Sequence, residues 1–149
     1  FPCERRVRVW RLARTQWAPD VATILDGGGA ARRGGRWSPP GMRAVYCSET
    51  SSLALLEVLV GLPFGVDHPA YRIVDLTVPD GSIAHLEVEP DDPDSQRLGA
   101  AALDRHLAVA VPSVVNPLER NIVINPLHRD FDRVKPGRLR PFRLDSRLG

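Results

Sequence analysis

Glu57 lies inside the run SLALLEVLVGL, the one strongly apolar helical stretch of the chain, between Leu53 and Val60. At 3.6 residues per turn this spacing turns its carboxylate into or beside the buried face. Burying an unpaired carboxylate is costly, so Glu57 must be paired, protonated or set at a cleft. Two readings stand on the helix pattern: a buried ion pair with an arginine, or a charge kept for chemistry. Arg36 follows Gly34-Gly35 and precedes Trp37. Glycines let a ligand approach the backbone, and a guanidinium can fork onto a phosphate there; a flexible turn is the plainer reading. Neither glycine run is a P-loop, since no Lys-Ser/Thr follows, nor a dinucleotide fingerprint, since no strand directly precedes it. Tyr46 reads as strand packing or as the wall of a site. Ser113 has no G-x-S-x-G elbow around it, so a hydrolase nucleophile is not expected. His68, His85, His106 and His128, with Cys3 and Cys47, show no metal-ligand spacing.

These residues need elements to hold them. Residues 7–12 alternate as a strand, and residues 18–25 suit a short helix that stops at a turn or mobile loop, Asp26 to Gly29. Residues 44–48 form a short buried strand. Thr50, Ser51 and Ser52 offer N-caps for a helix over 52–62, closed by Gly61 and Pro63. Residues 71–78 read as a strand, with 82–88 as its neighbour across the turn Pro79-Asp80-Gly81. An acidic loop at 89–94 leads to a helix over 95–107. Strands follow at 108–111 and 121–125, and a last one at 141–144. Strands and helices that do not alternate regularly predict an α+β domain with a mixed sheet and a few helices.

Composition narrows the class. The 149 residues are 43% hydrophobic and 26% charged, ordinary globular usage for a single domain. The longest apolar run is Leu107 to Val111, too short for a membrane span. Two cysteines make no disulfide framework, and no apolar signal segment follows Phe1, so a reducing, cytoplasmic setting is expected. The net charge of +2 conceals an uneven distribution. Residues 1–50 carry nine bases against four acids, residues 51–110 three against ten, and residues 111–149 eight against four. Basic ends around an acidic middle do not make the stripe of a nucleic-acid binder; a compact phosphate-bearing ligand near the N-terminal arginines fits better.

In order, VWRL, GGRWSPPGMRAVYCSETSSLALLEVLV, VPSVV, NIVINPLH and DSRL span Val9 to Leu148. This series resembles the RES domain, a family named for an arginine, a glutamate and a serine. On the family pattern these fall on Arg36, Glu57 and Ser113, with Tyr46 as a fourth site residue. Arg11 and Asn125 join Arg36, Trp37 and Tyr46 as ligand-binding candidates. The tryptophans that the family often carries ahead of its VPS segment are missing here, a departure at the rim of the site and the partner surface.

The resemblance implies a single ADP-ribosyltransferase-like domain over 1–149, with 1–6 and 145–149 as terminal extensions. It implies an NAD+-degrading toxin of a bacterial toxin–antitoxin pair, a glycohydrolase or phosphorylase. NAD+ would be the substrate, with no prosthetic group and no metal. The implied partner is a small helix-turn-helix, Xre-like antitoxin, with a homodimer or a larger toxin–antitoxin assembly in view. In those roles Glu57 would stabilise a ribosyl cation, Arg36 would clamp a phosphate or ribose, Tyr46 and Trp37 would stack on nicotinamide, and Ser113 would fix the carboxylate. The alternatives are transfer of ADP-ribose to a protein, and a non-catalytic module that binds a nucleotide or a partner.

Overall fold

Side chains alternate along Arg6–Arg14 (β1), sending Val9 to one face of a sheet and Trp10 and Leu12 to the other. The remaining strands are Val45–Ser48 (β2), Tyr71–Pro79 (β3), Ile83–His85 (β4), Ala108–Pro112 (β5), Arg120–Ile124 (β6) and Lys135–Phe142 (β7). The helices are Val21–Ile24 (α1), Gly28–Arg33 (α2), Ser51–Leu59 (α3) and Ser95–Arg105 (α4). The computed structural model describes residues 4–63 and 67–148; Phe1 and Cys3 lie outside the described residues.

The seven strands run in the order β4-β5-β6-β2-β1-β3-β7, all antiparallel except the parallel pair β4–β5. The mixed sheet and few helices make this the α+β domain expected. Its central irregularity lies between β1 and β2. β1 pairs with β3 along its full length, from Arg6↔Pro79 to Arg14↔Tyr71, yet meets β2 only at Trp10↔Ser48. The sheet therefore splits there, and the split opens a cleft.

One face of the sheet buries Val9, Val45, Val74, Leu76, Ile122 and Ile124 beneath Ile24 and Leu25. The other face carries two smaller cores, one on each side of the split. Leu12, Tyr71 and Ile73 pack under Ala54 of α3, with Leu55, Val58 and Leu59 half-buried around them. Leu103 of α4 covers Val109, Val111, Val123 and Trp37. The helix bearing Glu57 starts where Thr50 Oγ1 accepts the Leu53 N–H at 3.0 Å. Because Thr50 Oγ1 also donates to Glu119 Oε1 at 2.8 Å, this cap ties α3 to the chain entering β6.

Several expectations need correction. Of the stretch 26–29 only Asp26 and Gly27 form a turn: Gly27 takes φ 71°, a left-handed conformation suited to glycine, and α2 starts at Gly28. The helix expected over 18–25 shrinks to the single turn of α1, preceded by a 3₁₀ turn over Thr15–Trp17. The strand near 82–88 shortens to β4 and lies at the far edge of the sheet beside β5, not next to β3. Its apolar alternation was legible, but a turn after β3 does not reveal which edge the chain pairs with. The C-terminal strand is β7, from Lys135, with Pro136 and Pro141 tolerated because it is an edge strand. Among the described residues no helix is long and apolar enough to cross a membrane.

Candidate active site

Glu57 is held by neutral donors. Ser113 Oγ donates to its Oε1 at 2.9 Å, and Asn121 Nδ2 donates to the same oxygen at 3.2 Å. Each donor is itself fixed. The Asn116 N–H donates to Ser113 Oγ at 3.1 Å, which leaves the serine proton for Glu57. Ser48 Oγ donates to Asn121 Oδ1 at 2.7 Å, which sets the amide so that its nitrogen faces the carboxylate. Among the described residues no donor reaches Glu57 Oε2, and no arginine or lysine nitrogen comes within ion-pair distance of the carboxylate. The buried ion pair with an arginine is thereby overturned. The carboxylate is oriented at one oxygen and open at the other.

Glu57, Trp10, Tyr46, Ser48 and Asn121 line a cavity of about 250 Å³ at the split. Tyr46 Oη accepts the Trp37 N–H at 3.0 Å and shares a 2.9 Å hydrogen bond with Ser38 Oγ. Burial pushes the phenol above its ordinary pKa, against the opposing effects of these two bonds and the Arg36 charge, so it stays neutral near pH 7. A Cβ on Gly35 would lie 2.4 Å from Tyr46 Oη, so the turn before Arg36 can meet the phenol only as glycine. Arg36 is exposed beside Tyr46, with NH1 donating to the Pro90 carbonyl at 2.7 Å, while Ser95 Oγ donates to the Arg36 carbonyl at 2.9 Å. The acidic loop and the start of α4 thus hold this turn in place.

A second cleft, about 560 Å³, meets the Glu57 cavity at Arg11, Leu12 and Val58. Arg14, Arg32, Arg33 and Trp17 line it. Arg11 itself bridges the split: its Nε donates to the Ile24 carbonyl at 2.7 Å and NH1 to the Tyr46 carbonyl at 2.9 Å. These bonds stand where β1–β2 ladder bonds are missing. Burial lowers its pKa, partly offset by the neighbouring Cys47 and Asp26. Cys47 is buried behind the sheet, and burial pushes its thiol up to about 12, so it is no nucleophile near neutrality. Among the described residues no three His, Cys, Asp or Glu side chains gather closely enough to share a metal ion.

Of the residues singled out from the sequence, the fold gathers Glu57, Ser113 and Tyr46, with Arg36 next to Tyr46. Two ligand-binding candidates are corrected. Trp37 is 2% exposed and packs on Leu103, Val109 and Val123, so its indole cannot stack on a ligand. Asn125 donates to the Leu103 carbonyl at 2.9 Å and accepts the Leu127 N–H at 3.0 Å, closing the end of β6. It borders a wider cavity of about 980 Å³ with Asp104 and His128, which Glu57 does not reach. The asparagine at the carboxylate is Asn121. Its only sequence signal was its place opening NIVI, and the Ser48↔Asn121 register that aims it is a tertiary fact.

Fold and site define a class: α+β domains whose split sheet sets a hydrogen-bonded glutamate beside an arginine-lined cleft. The chain belongs to the RES domain family, whose model matches residues 8–145. It is similar to a protein of Sphingobium sp. named Prs ADP-ribosylating toxin, at 33% identity over 93% of this chain and 94% of the relative. It is also similar to two proteins named Toxin Res. The one from Photorhabdus laumondii is 28% identical, over 94% of this chain and 96% of the relative. The one from Pseudomonas putida is 30% identical, over 89% of this chain and 97% of the relative.

Proposed function

We propose that this chain is an NAD+-using toxin that cleaves the bond between nicotinamide and ribose C1′. The observation that carries the reading is the Glu57 carboxylate, anchored through Oε1 by Ser113 and Asn121 and open at Oε2 on a cavity with aromatic walls. Cleavage passes through an oxocarbenium-like ribosyl cation, as in glycoside hydrolysis. The C1′–N bond breaks with its electron pair leaving on nicotinamide, which departs neutral, so the chemistry calls for no metal and no prosthetic group. Glu57 stabilises the cation as it forms, and a carboxylate already oriented does so without reorganising. Water adds to C1′ and releases a proton, giving ADP-ribose; phosphate in its place would give the phosphorolysis product. Arg36 binds a phosphate or ribose oxygen of the dinucleotide. Tyr46, neutral near pH 7, contributes a ring wall to the cavity, its hydroxyl engaged by Trp37 and Ser38.

A second reading, transfer of ADP-ribose to a protein, is favoured by the printed name of the Sphingobium relative, an ADP-ribosylating toxin. Both begin with the same bond cleavage and differ only in what attacks C1′. In either case the partner is a small helix-turn-helix antitoxin of the Xre type, acting in the cytoplasm.

Purified protein is expected to release nicotinamide from NAD+, and Glu57→Gln to do so about 10²- to 10³-fold more slowly with its fold intact. Free ADP-ribose as product supports hydrolysis; label on added bacterial protein supports transfer. NAD+ left intact at stoichiometric protein leaves a non-catalytic binding module. Full activity in Glu57→Gln makes the carboxylate structural.

A further inference from the structure

Trp10, within VWRL, lines the same cavity of about 250 Å³ as Glu57, Tyr46 and Asn121. It stands at the one residue pair where β1 meets β2. Its indole is half-buried and held by two arginines. The Arg8 guanidinium lies 4.4 Å from the ring centroid and that of Arg140 lies 5.8 Å away. Both arginines are pinned by Asp75, which faces Trp10 across the β1–β3 ladder: Arg8 NH2 at 3.0 Å from Oδ2, Arg140 NH2 at 3.3 Å from Oδ1. A Cβ on Gly137 would come within 2.5 Å of Asp75 Oδ1, so glycine leaves the room this carboxylate occupies. Asp75 offsets the arginine charges, and three charged groups hold one aromatic ring in a fixed orientation where the core under α3 gives way to the cavity.

Resting on the NAD+ reading above, we propose that Trp10 is the stacking wall for the nicotinamide ring, the place expected for Tyr46 and Trp37. The ring bonded to C1′ must lie within reach of Glu57, and the smaller of the two joined cavities is the one Glu57 opens on. The phosphates and adenosine then fall in the adjoining cleft of about 560 Å³, among Arg14, Arg32 and Arg33, which leaves a ribose oxygen as the partner of Arg36. A pyridinium ring carries positive charge, and an indole face attracts it more strongly than any other side-chain ring does. A ring fixed before the ligand arrives loses no freedom on stacking.

The test is a comparison of Trp10→Ala and Trp10→Phe with wild type in NAD+ turnover. Trp10→Ala is expected to raise KM about 10- to 100-fold with kcat little changed, and Trp10→Phe, which keeps a ring, to raise it about 3-fold. A second measurement uses the Glu57→Gln, Trp17→Phe background, in which ligand persists. There NAD+ is expected to quench tryptophan fluorescence, and adding Trp10→Phe to abolish the quench. A KM within about twofold of wild type for Trp10→Ala, or a quench that survives Trp10→Phe, overturns the role of Trp10 and leaves NAD+ cleavage standing. A wild type that neither binds nor consumes NAD+ overturns the functional reading and the role of Trp10 with it.

Discussion

Ser113 takes the Asn116 N–H on its oxygen and gives its only proton to Glu57 Oε1, so its hydroxyl has no rotational choice left. Asn121 is constrained in the same way through Ser48. Two neutral donors on one oxygen set the carboxylate direction without cancelling its charge, which an arginine in their place would do. Ser113→Ala is therefore expected to lower kcat about 5- to 30-fold, the equivalent of about 1–2 kcal/mol of misdirected charge, with KM for NAD+ nearly unchanged. Steady-state kinetics beside a thermal melt checks this; a fall in KM-normalised rate that tracks only lost stability would assign Ser113 to folding. That Glu57 was special was legible from one acidic residue in an apolar helix. Of its partners, Ser113 was legible only through the family resemblance and Asn121 not at all, because they come from the loop after β5 and from β6, more than fifty positions away.

At the scale of elements, the position of Arg36 depends on α4. Gly99 faces the turn that carries Arg36, and a Cβ there would sit 2.1 Å from the Trp37 carbonyl oxygen. That neighbour is backbone and cannot rotate away. Gly99→Ala would gain about 1 kcal/mol in helix propensity, yet the overlap costs about 1–3 kcal/mol or more and pushes the helix off the turn. The expected outcome is a net loss of stability in urea unfolding, together with weaker NAD+ binding. Gly29→Ala in α2 provides the contrast: a Cβ there meets nothing within 4 Å, so the same substitution is expected to be neutral or stabilising by up to about 1 kcal/mol. If both variants behave alike, packing of α4 on the Arg36 turn is not what limits the site.

For the whole molecule, the arginine-lined cleft beside the Glu57 cavity concentrates positive potential where a pyrophosphate would lie. An enzyme that consumes NAD+ in its own cytoplasm must be restrained. Expression of the chain alone in bacteria is expected to arrest growth as cellular NAD+ falls, while Glu57→Gln at equal abundance does not. Arrest by both chains would point to a mechanism other than NAD+ loss. Healthy growth with abundant active wild type would remove the toxin role and leave the enzymatic one.

The amino-acid sequence by itself determined the α+β class, most helices and strands, and the order of Arg36, Tyr46, Glu57 and Ser113. Periodicity, caps and local spacing are short-range properties, and a carboxylate on an apolar helix face is anomalous wherever the helix packs. Tertiary structure alone decided the rest. It moved β4 to the far edge, made Arg11 a clasp across the split, buried Trp37, turned Asn125 to the end of β6, and brought Asn121 and Trp10 to the carboxylate. Strand partnership and register decide which residues face one another, and a single-residue change of register sends a side chain to the opposite face of the sheet. That Trp10 and Asn121 share a face and a cavity follows from the Trp10↔Ser48 and Ser48↔Asn121 pairings, contacts between strands that are far apart in the chain.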